Sequence, residues 1–290
     1  VDTVSNYTSG AMADSPRPEP VTSEVRFVPK INPNVPNVAR MYDYYLGGKD
    51  NYGADRQAAE QILKTVPEVR AAARANRAFL GRAVRHVAKA GIRQFIDIGP
   101  GLPTQENVHQ VAAKVAPGSQ VVYVDNDPTV LVHARALLKD PNVIAVEGDL
   151  KKPDAILNDP DLTRVIDFSR PVAMLLVAIM HFIAESERPQ ETIATLREAM
   201  APGSYLVMSH GTSDARPDAV DHGTEVYSKA NAPLTLRSRE RIMELFEGFE
   251  LVDPGLVWLP EWHGEDVDKV DFPGGPESSL ILGGVGRRVG

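Results

Sequence analysis

Hydrophobic positions in this chain fall into two regimes that meet at Gly91. Before it the spacing is helical. Val38, Met41, Tyr42, Tyr45 and Leu46 share one helical face, and Gly47-Gly48 ends that helix. Asp55 is placed to cap a second helix running to Thr65. Pro67 opens a third, which carries Val69, Ala73, Phe79, Leu80, Val84 and Val87 on its apolar side and stops at Gly91. After Gly91, short apolar runs alternate with helical stretches. The pattern predicts strands at 94–98, 120–124, 143–146, 172–177, 204–209, 249–252 and 279–284. Helices are predicted at 105–115, 128–139, 153–157, 188–200 and 238–246, and 211–234 reads as a long connection. The run 172–177 is almost wholly apolar, as suits a strand covered on both faces. Such an alternation predicts an α/β fold with a doubly wound, mainly parallel, seven-stranded Rossmann-like sheet. Three regions follow: an arm over 1–36, a helical region over 37–90 and the α/β core over 91–290. The arm is set apart by Pro16, Pro18, Pro20, Pro29, Pro33 and Pro36, which disfavour regular hydrogen bonding.

Composition narrows the class of protein. With 43% hydrophobic and 24% charged residues, the 290-residue chain has the balance of a folded globular protein. Its 31 basic and 39 acidic residues give a net charge of −8, which argues against binding to a nucleic-acid backbone. There is no cysteine, hence no disulfide, thiolate metal site or cysteine nucleophile. No apolar run is long enough to span a bilayer and no basic-then-apolar opening signals secretion, so a cytoplasmic protein without membrane partners is expected.

In a doubly wound sheet, ligands bind at the carboxyl ends of the strands. The first strand leads into Asp97-Ile98-Gly99-Pro100-Gly101-Leu102-Pro103-Thr104. A dinucleotide fingerprint would continue to a third glycine or alanine where Thr104 stands. Asp97 suits an amino-bearing or cationic ligand better than a pyrophosphate. The second strand ends at Asp125, where a carboxylate accepts both ribose hydroxyls, or else caps the next helix, a role Asp127 already fills. After the third strand, Asp149 accepts the exocyclic amine of an adenine with Leu150 covering the ring, or simply serves the turn. Three acids and a glycine loop describe a cationic nucleoside without phosphate: S-adenosyl-L-methionine rather than NAD.

These residues resemble the class I S-adenosylmethionine-dependent methyltransferases, with Pro103 departing from a glycine often found in that loop. Arg40-Met41-Tyr42-Asp43-Tyr44-Tyr45-Leu46-Gly47-Gly48-Lys49-Asp50-Asn51-Tyr52 resembles the N-terminal signature of an actinobacterial methyltransferase family. Asn76-Arg77-Ala78-Phe79-Leu80, the stretch 176–182 and Gly284-Val285-Gly286-Arg287 are similar to the same family. The resemblance implies that Asp97, Gly99 and Gly101 line the methionine end, that Asp125 and Asn126 hold the ribose, and that Asp149 and Leu150 bracket the adenine. Val177 would sit beside the sulfonium. The segment 42–51 would fold over the cofactor as part of a helical lid, with Tyr45 and Asn51 facing inward and Gly48 allowing close backbone approach. Arg77 would either pair with the cofactor carboxylate or lie on a solvated helix face.

Methyl transfer to a hydroxyl or amine needs a base. His181 and His210 follow the fourth and fifth strands and are the candidates, each with a packing role as the alternative. His222 and His263 fall in polar loops and are read as solvated. No spacing of ligands suggests a metal. Tyr227, Lys229 and Asn231 are placed to shape an acceptor pocket, and Trp258 and Trp262 either flank an acceptor or pack the fold. Two functions stay open: methyl transfer to a small-molecule acceptor, and a non-catalytic sensor or scaffold that binds S-adenosylmethionine or S-adenosylhomocysteine. A nucleic-acid methyltransferase is disfavoured, because no Asn/Asp-Pro-Pro-aromatic tetrapeptide follows the fourth strand.

Overall fold

The computed structural model describes residues 32–103, 106–137, 140–263, 272 and 275–290. Most of the Pro-rich arm (1–31), together with Thr104, Gln105 and the end of the helix predicted to 139, lies outside the described residues. Three helices come first: α1 (Val38–Tyr45), α2 (Gly53–Thr65) and α3 (Val69–Lys89). Then follow β1 (Gln94–Ile98), α4 (Val108–Val115), β2 (Gln120–Asp125), α5 (Pro128–Leu137), β3 (Val143–Glu147), α6 (Pro153–Leu157) and α7 (Pro160–Val165). The chain continues through β4 (Ala173–Val177), α8 (Pro189–Ala199), β5 (Tyr205–Gly211), α9 (Val220–Tyr227) and α10 (Arg239–Glu244). It ends with β6 (Phe249–Leu251), β7 (Val257–Trp258) and β8 (Ile281–Arg288).

The sheet is the expected doubly wound, mainly parallel one, in the order β3-β2-β1-β4-β5-β8-β6. β1 to β5 pair in parallel, and β8 runs antiparallel between β5 and β6. The strand order reverses between β1 and β4, so the carboxyl ends of these strands open the crevice where a ligand fits. Side chains alternate across the sheet. Ile96, Val122, Met174, Leu206 and Met208 pack against α8 and α10 on one face. Phe95, Val121, Leu175 and Val207 pack against α3 and α4 on the other. No helix among the described residues is long and apolar enough to cross a membrane.

Several elements differ from the pattern. The sheet has an eighth strand, the two-residue β7 paired with β8, too short to show a period. The last strand runs to Arg288, because its interior glycines weaken the alternation that would mark its length. The connection 211–234 contains a 3₁₀ turn at Pro217–Ala219 and α9, whose Val226 joins the apolar cluster of α1 and α2. Tertiary packing makes this segment helical where local propensity is weak.

Asp55 caps α2 from inside the helix, as the third-position member of a capping box whose N-cap is Tyr52. It lies in the helix's first turn, fully buried, and accepts hydrogen bonds from the backbone N–H of Tyr52 at 2.7 Å and of Asn37 at 2.8 Å. Arg40 Nε donates to the same carboxylate at 2.7 Å. This buried pair fastens α1 to α2; breaking it by removing one partner costs about 3–5 kcal/mol.

Candidate functional site

The carboxyl ends of β1, β2 and β3 open into a cavity of about 310 Å³ that α1, α2 and α3 cover. β1 passes into a loop in which Gly99 and Gly101 take φ of +72° and +66°. Only glycine adopts such angles without strain, so these two residues let the backbone bend around the cavity mouth. Asp97 is 4% exposed, and its carboxylate receives no hydrogen bond from the described residues. Burial raises its pKa to about 7, opposed by Arg77 and reinforced by Asp125. Asp125 accepts the Asp127 N–H at 2.9 Å through one oxygen, and burial lifts its pKa to about 6. Asp127 caps α5 by accepting the Thr129 N–H at 2.7 Å, leaving Asp125 free of that duty. Asp149 makes a turn bond to the Lys151 N–H at 3.0 Å and still lines the cavity, with Leu150 buried beside it.

The covering helix is tied to this rim. Asn37 caps α1, and its Nδ2 donates to Asp127 Oδ2 at 2.7 Å. The Val38 N–H donates to Asn231 Oδ1 at 2.8 Å, and the Asn231 N–H donates to the Pro36 carbonyl at 3.0 Å. A polar chain also crosses beneath the lid. Asn76 Nδ2 donates to the Tyr42 hydroxyl at 3.0 Å, Ser209 Oγ donates to Asn76 Oδ1 at 2.6 Å, and the Ala178 N–H donates to Ser209 Oγ at 2.9 Å. That chain fixes the loop after β4, where Ala178 holds a left-handed φ of +56°.

Asp97, Gly99, Gly101, Asp125, Asn126, Asp149, Leu150, Val177, Tyr45 and Arg77 all line the cavity, as does His181. Arg77 also donates Nη2 to the Glu106 carbonyl at 3.2 Å. Gly48 and Asn51 do not line it. Both are committed to the buried Asp43: Asn51 Nδ2 donates to its carboxylate at 2.8 Å, and a Cβ at Gly48 would lie 1.9 Å from Asp43 Oδ1. The glycine and asparagine of the N-terminal signature thus build a turn around an internal carboxylate rather than a wall of the cavity.

His210 is also misplaced as a base. On β5 it follows Ser209, and the alternation sends it to the face opposite Asn76 and the lid. It is fully buried, with Nδ1 donating to the Gly211 carbonyl at 2.7 Å and Nε2 accepting from Arg237 Nη1 at 2.8 Å. Burial, the neighbouring His181 and Arg237 hold it neutral, with a pKa well below the usual histidine value. His181 lines the cavity, yet its Nδ1 accepts the Gly211 N–H at 3.2 Å, which leaves the ring hydrogen on Nε2. Burial and Arg237 lower its pKa to about 3, so it stays a neutral hydrogen-bond donor near physiological pH.

Tyr227 and Asn231 line the cavity, whereas Lys229 pairs with Glu225 at 3.1 Å on the surface. Neither tryptophan lines it. Trp262 is fully buried, edge-on to Phe79 at 5.4 Å, and its carbonyl accepts from Arg82 Nε at 2.7 Å. Trp258 packs against the core with the Arg239 guanidinium 5.4 Å from its ring centre. His263, expected in solvent, packs edge-on to Trp262 at 4.6 Å. The sequence reading missed Asn37, Ser209 and Arg237. Asn37, immediately before a helical pattern, carried a capping signal; the other two carried no local sign of their partners.

A family model described as S-adenosyl methyltransferase matches residues 25–289. Among solved structures, a candidate methyltransferase of Thermobifida fusca YX is similar at 42% identity and a TM-score of 0.82, over 89% of this chain and 96% of that one. A DUF574-family protein of Streptomyces avermitilis MA-4680 is similar at 41% identity and a TM-score of 0.83, over 88% of this chain and 98% of that one. No curated protein matches the chain.

Proposed function

This chain belongs to the S-adenosyl methyltransferase family, and we propose that it moves the methyl group of S-adenosylmethionine onto a small-molecule acceptor held in the same cavity. The observation that carries the reading is the row of acids at three neighbouring strand ends. Asp97 and Asp125 are buried carboxylates, both with raised pKa, facing a cavity roofed by α1. Buried acids of this kind call for donors from a ligand. An ammonium and a pair of ribose hydroxyls supply them, and a pyrophosphate does not. The residues present therefore fit S-adenosylmethionine.

In this reading Asp97, Gly99 and Gly101 hold the methionine end, with Arg77 beside its carboxylate. Asp125 and Asn126 hold the ribose, Asp149 and Leu150 the adenine, and Val177 faces the sulfonium. When bound, the cofactor supplies a methyl group made electrophilic by the adjoining positive sulfur. The chain's own task is alignment and exclusion of water. Asn37 and Asn231 hold α1 down over the site, and the Tyr42–Asn76–Ser209 chain sets the loop that follows Val177. His181 contributes a donor, not a base.

That lack of a histidine base favours a second reading, binding of the cofactor or its demethylated product without turnover. Calorimetric titration with S-adenosylmethionine, S-adenosylhomocysteine and NAD tests the site. Binding of both adenosyl-sulfur ligands at roughly micromolar Kd, and none of NAD, is expected; no response to either sulfur ligand overturns the assignment. Methyl loss from labelled S-adenosylmethionine, with candidate acceptors added, separates the enzyme from the sensor.

A further inference from the structure

Away from the acids the cavity changes character. Its wall there is built by Ile62 of α2, Val66 just after it, Val69 of α3, Val220 of α9, and Leu234 and Leu236 of the segment after α9. Arg216 is the single charged side chain among the described residues on this wall, and its charge is spent. Nε and Nη2 donate to the Asp218 carboxylate at 2.9 and 2.8 Å, Nη1 lies 3.5 Å from Glu68, and Nη2 also reaches the Thr65 carbonyl at 3.3 Å. The polar groups at hand are neutral. The hydroxyls of Tyr45 and Tyr227 lie 3.3 Å apart and share a hydrogen bond. The Thr212 hydroxyl accepts the Asp214 N–H at 3.2 Å.

An ion pressed against this wall would shed its hydration and meet no opposite charge, a cost that apolar contact does not offset. A neutral molecule gains from the same surface. The acids at the strand ends lie on the cofactor side and so leave the acceptor wall without an unpaired charge.

We infer that the wall formed by α2, α3, α9 and the segment after α9 receives an uncharged, mainly apolar small molecule, with the Tyr45–Tyr227 hydroxyl pair as its polar contact. This inference rests on the proposed function, in which that molecule is the methyl acceptor.

Three probes of one ring system and different charge test it: 1-naphthol, 1-naphthoate and 1-naphthylmethylammonium. Each is titrated by fluorescence, near neutral pH, into protein saturated with S-adenosylhomocysteine. The neutral probe is expected to bind at least ~10-fold more tightly than either ion. Equal or tighter binding of an ion, or no binding of 1-naphthol, overturns the inference. A Leu234→Lys variant then gives the wall an unpaired ammonium. Naphthoate should gain and 1-naphthol lose, each by roughly 10-fold, while S-adenosylhomocysteine affinity reports that the fold is intact. Unchanged affinities for both probes in a variant that still binds S-adenosylhomocysteine place the probes elsewhere and also overturn it. Should S-adenosylhomocysteine fail to bind the unmodified protein, the methyl-transfer reading falls by itself, and the same charge series on the ligand-free protein still decides the character of the wall.

Discussion

Arg237 Nη1 donates to His210 Nε2 across 2.8 Å, inside the protein and on the far face of β5 from the lid. The same guanidinium donates to the carbonyls of Met180 at 3.1 Å and Ile183 at 2.8 Å, and Nε pairs with Glu185 at 2.6 Å. One buried arginine therefore holds the turn after β4, where His181 sits, against the end of β5. His210 is part of that anchor.

Replacing Arg237 by Leu leaves two carbonyls and an imidazole nitrogen without a donor. Stability should fall by about 3–5 kcal/mol, the range for breaking a buried charged network. Urea unfolding measures it. A loss no larger than that of a surface substitution would show that the network does not anchor the turn.

His210 is held neutral in the folded protein, while the unfolded chain takes up its proton near the ordinary histidine value of 6.5. A lowered folded-state pKa means that its stabilisation is complete above that pH and is lost as pH falls below it. The loss amounts to about 1.4 kcal/mol for each pH unit. His210→Gln should remove this one-proton slope on the acid side. Unfolding curves for both proteins, compared from pH 7 downward, check it. Identical slopes would contradict the buried neutral state.

Asp97 and Asp125 predict a pH dependence in the same direction for ligand binding. In the free protein Asp97 keeps its proton up to about pH 7 and Asp125 up to about pH 6. An ammonium and ribose hydroxyls favour the ionised carboxylates, so binding expels protons at lower pH. Affinity for S-adenosylhomocysteine should rise with pH and level off above about 7. Calorimetry in buffers of different ionisation enthalpy counts the released protons; flat affinity with no release would remove these acids from the contact.

Asp125→Asn keeps the shape and removes the charge. Affinity for S-adenosylhomocysteine should weaken by roughly 1.5–3 kcal/mol, the scale of a hydrogen bond to an ionised group. Unchanged affinity would sink the ribose assignment.

Gly48→Ala tests the turn around Asp43. The added Cβ would lie 1.9 Å from Asp43 Oδ1, which packs beside the oxygen that receives the Asp50 N–H and Asn51 Nδ2. Overpacking of this kind costs about 1–3 kcal/mol. The loss should appear as faster amide exchange across α1 and the turn that follows it, and unaltered exchange would mean that the turn yields freely.

Much of the site was legible in the sequence. In a parallel sheet the strands present their carboxyl ends at one edge, so chain order alone brings Asp97, Asp125 and Asp149 to a common rim. The apolar run of β4 and the glycines of the β1 loop were equally plain, because their signals are local: burial on both faces, and backbone angles that only glycine takes easily.

What the sequence by itself determined is therefore the class of fold and the acidic edge that faces the cavity. Tertiary structure decided which side chains face inward. His210 and Ser209 are adjacent in sequence, yet the alternation of β5 sends one to Arg237 and the other to Asn76. Gly48 and Asn51 turn to Asp43 because a buried carboxylate must be satisfied. The apolar wall joins α2 to α9, distant in the chain and brought together by packing alone. Local periodicity sets an element and its faces, but what each face meets depends on segments far along the chain, and that meeting settled which residues are left for chemistry.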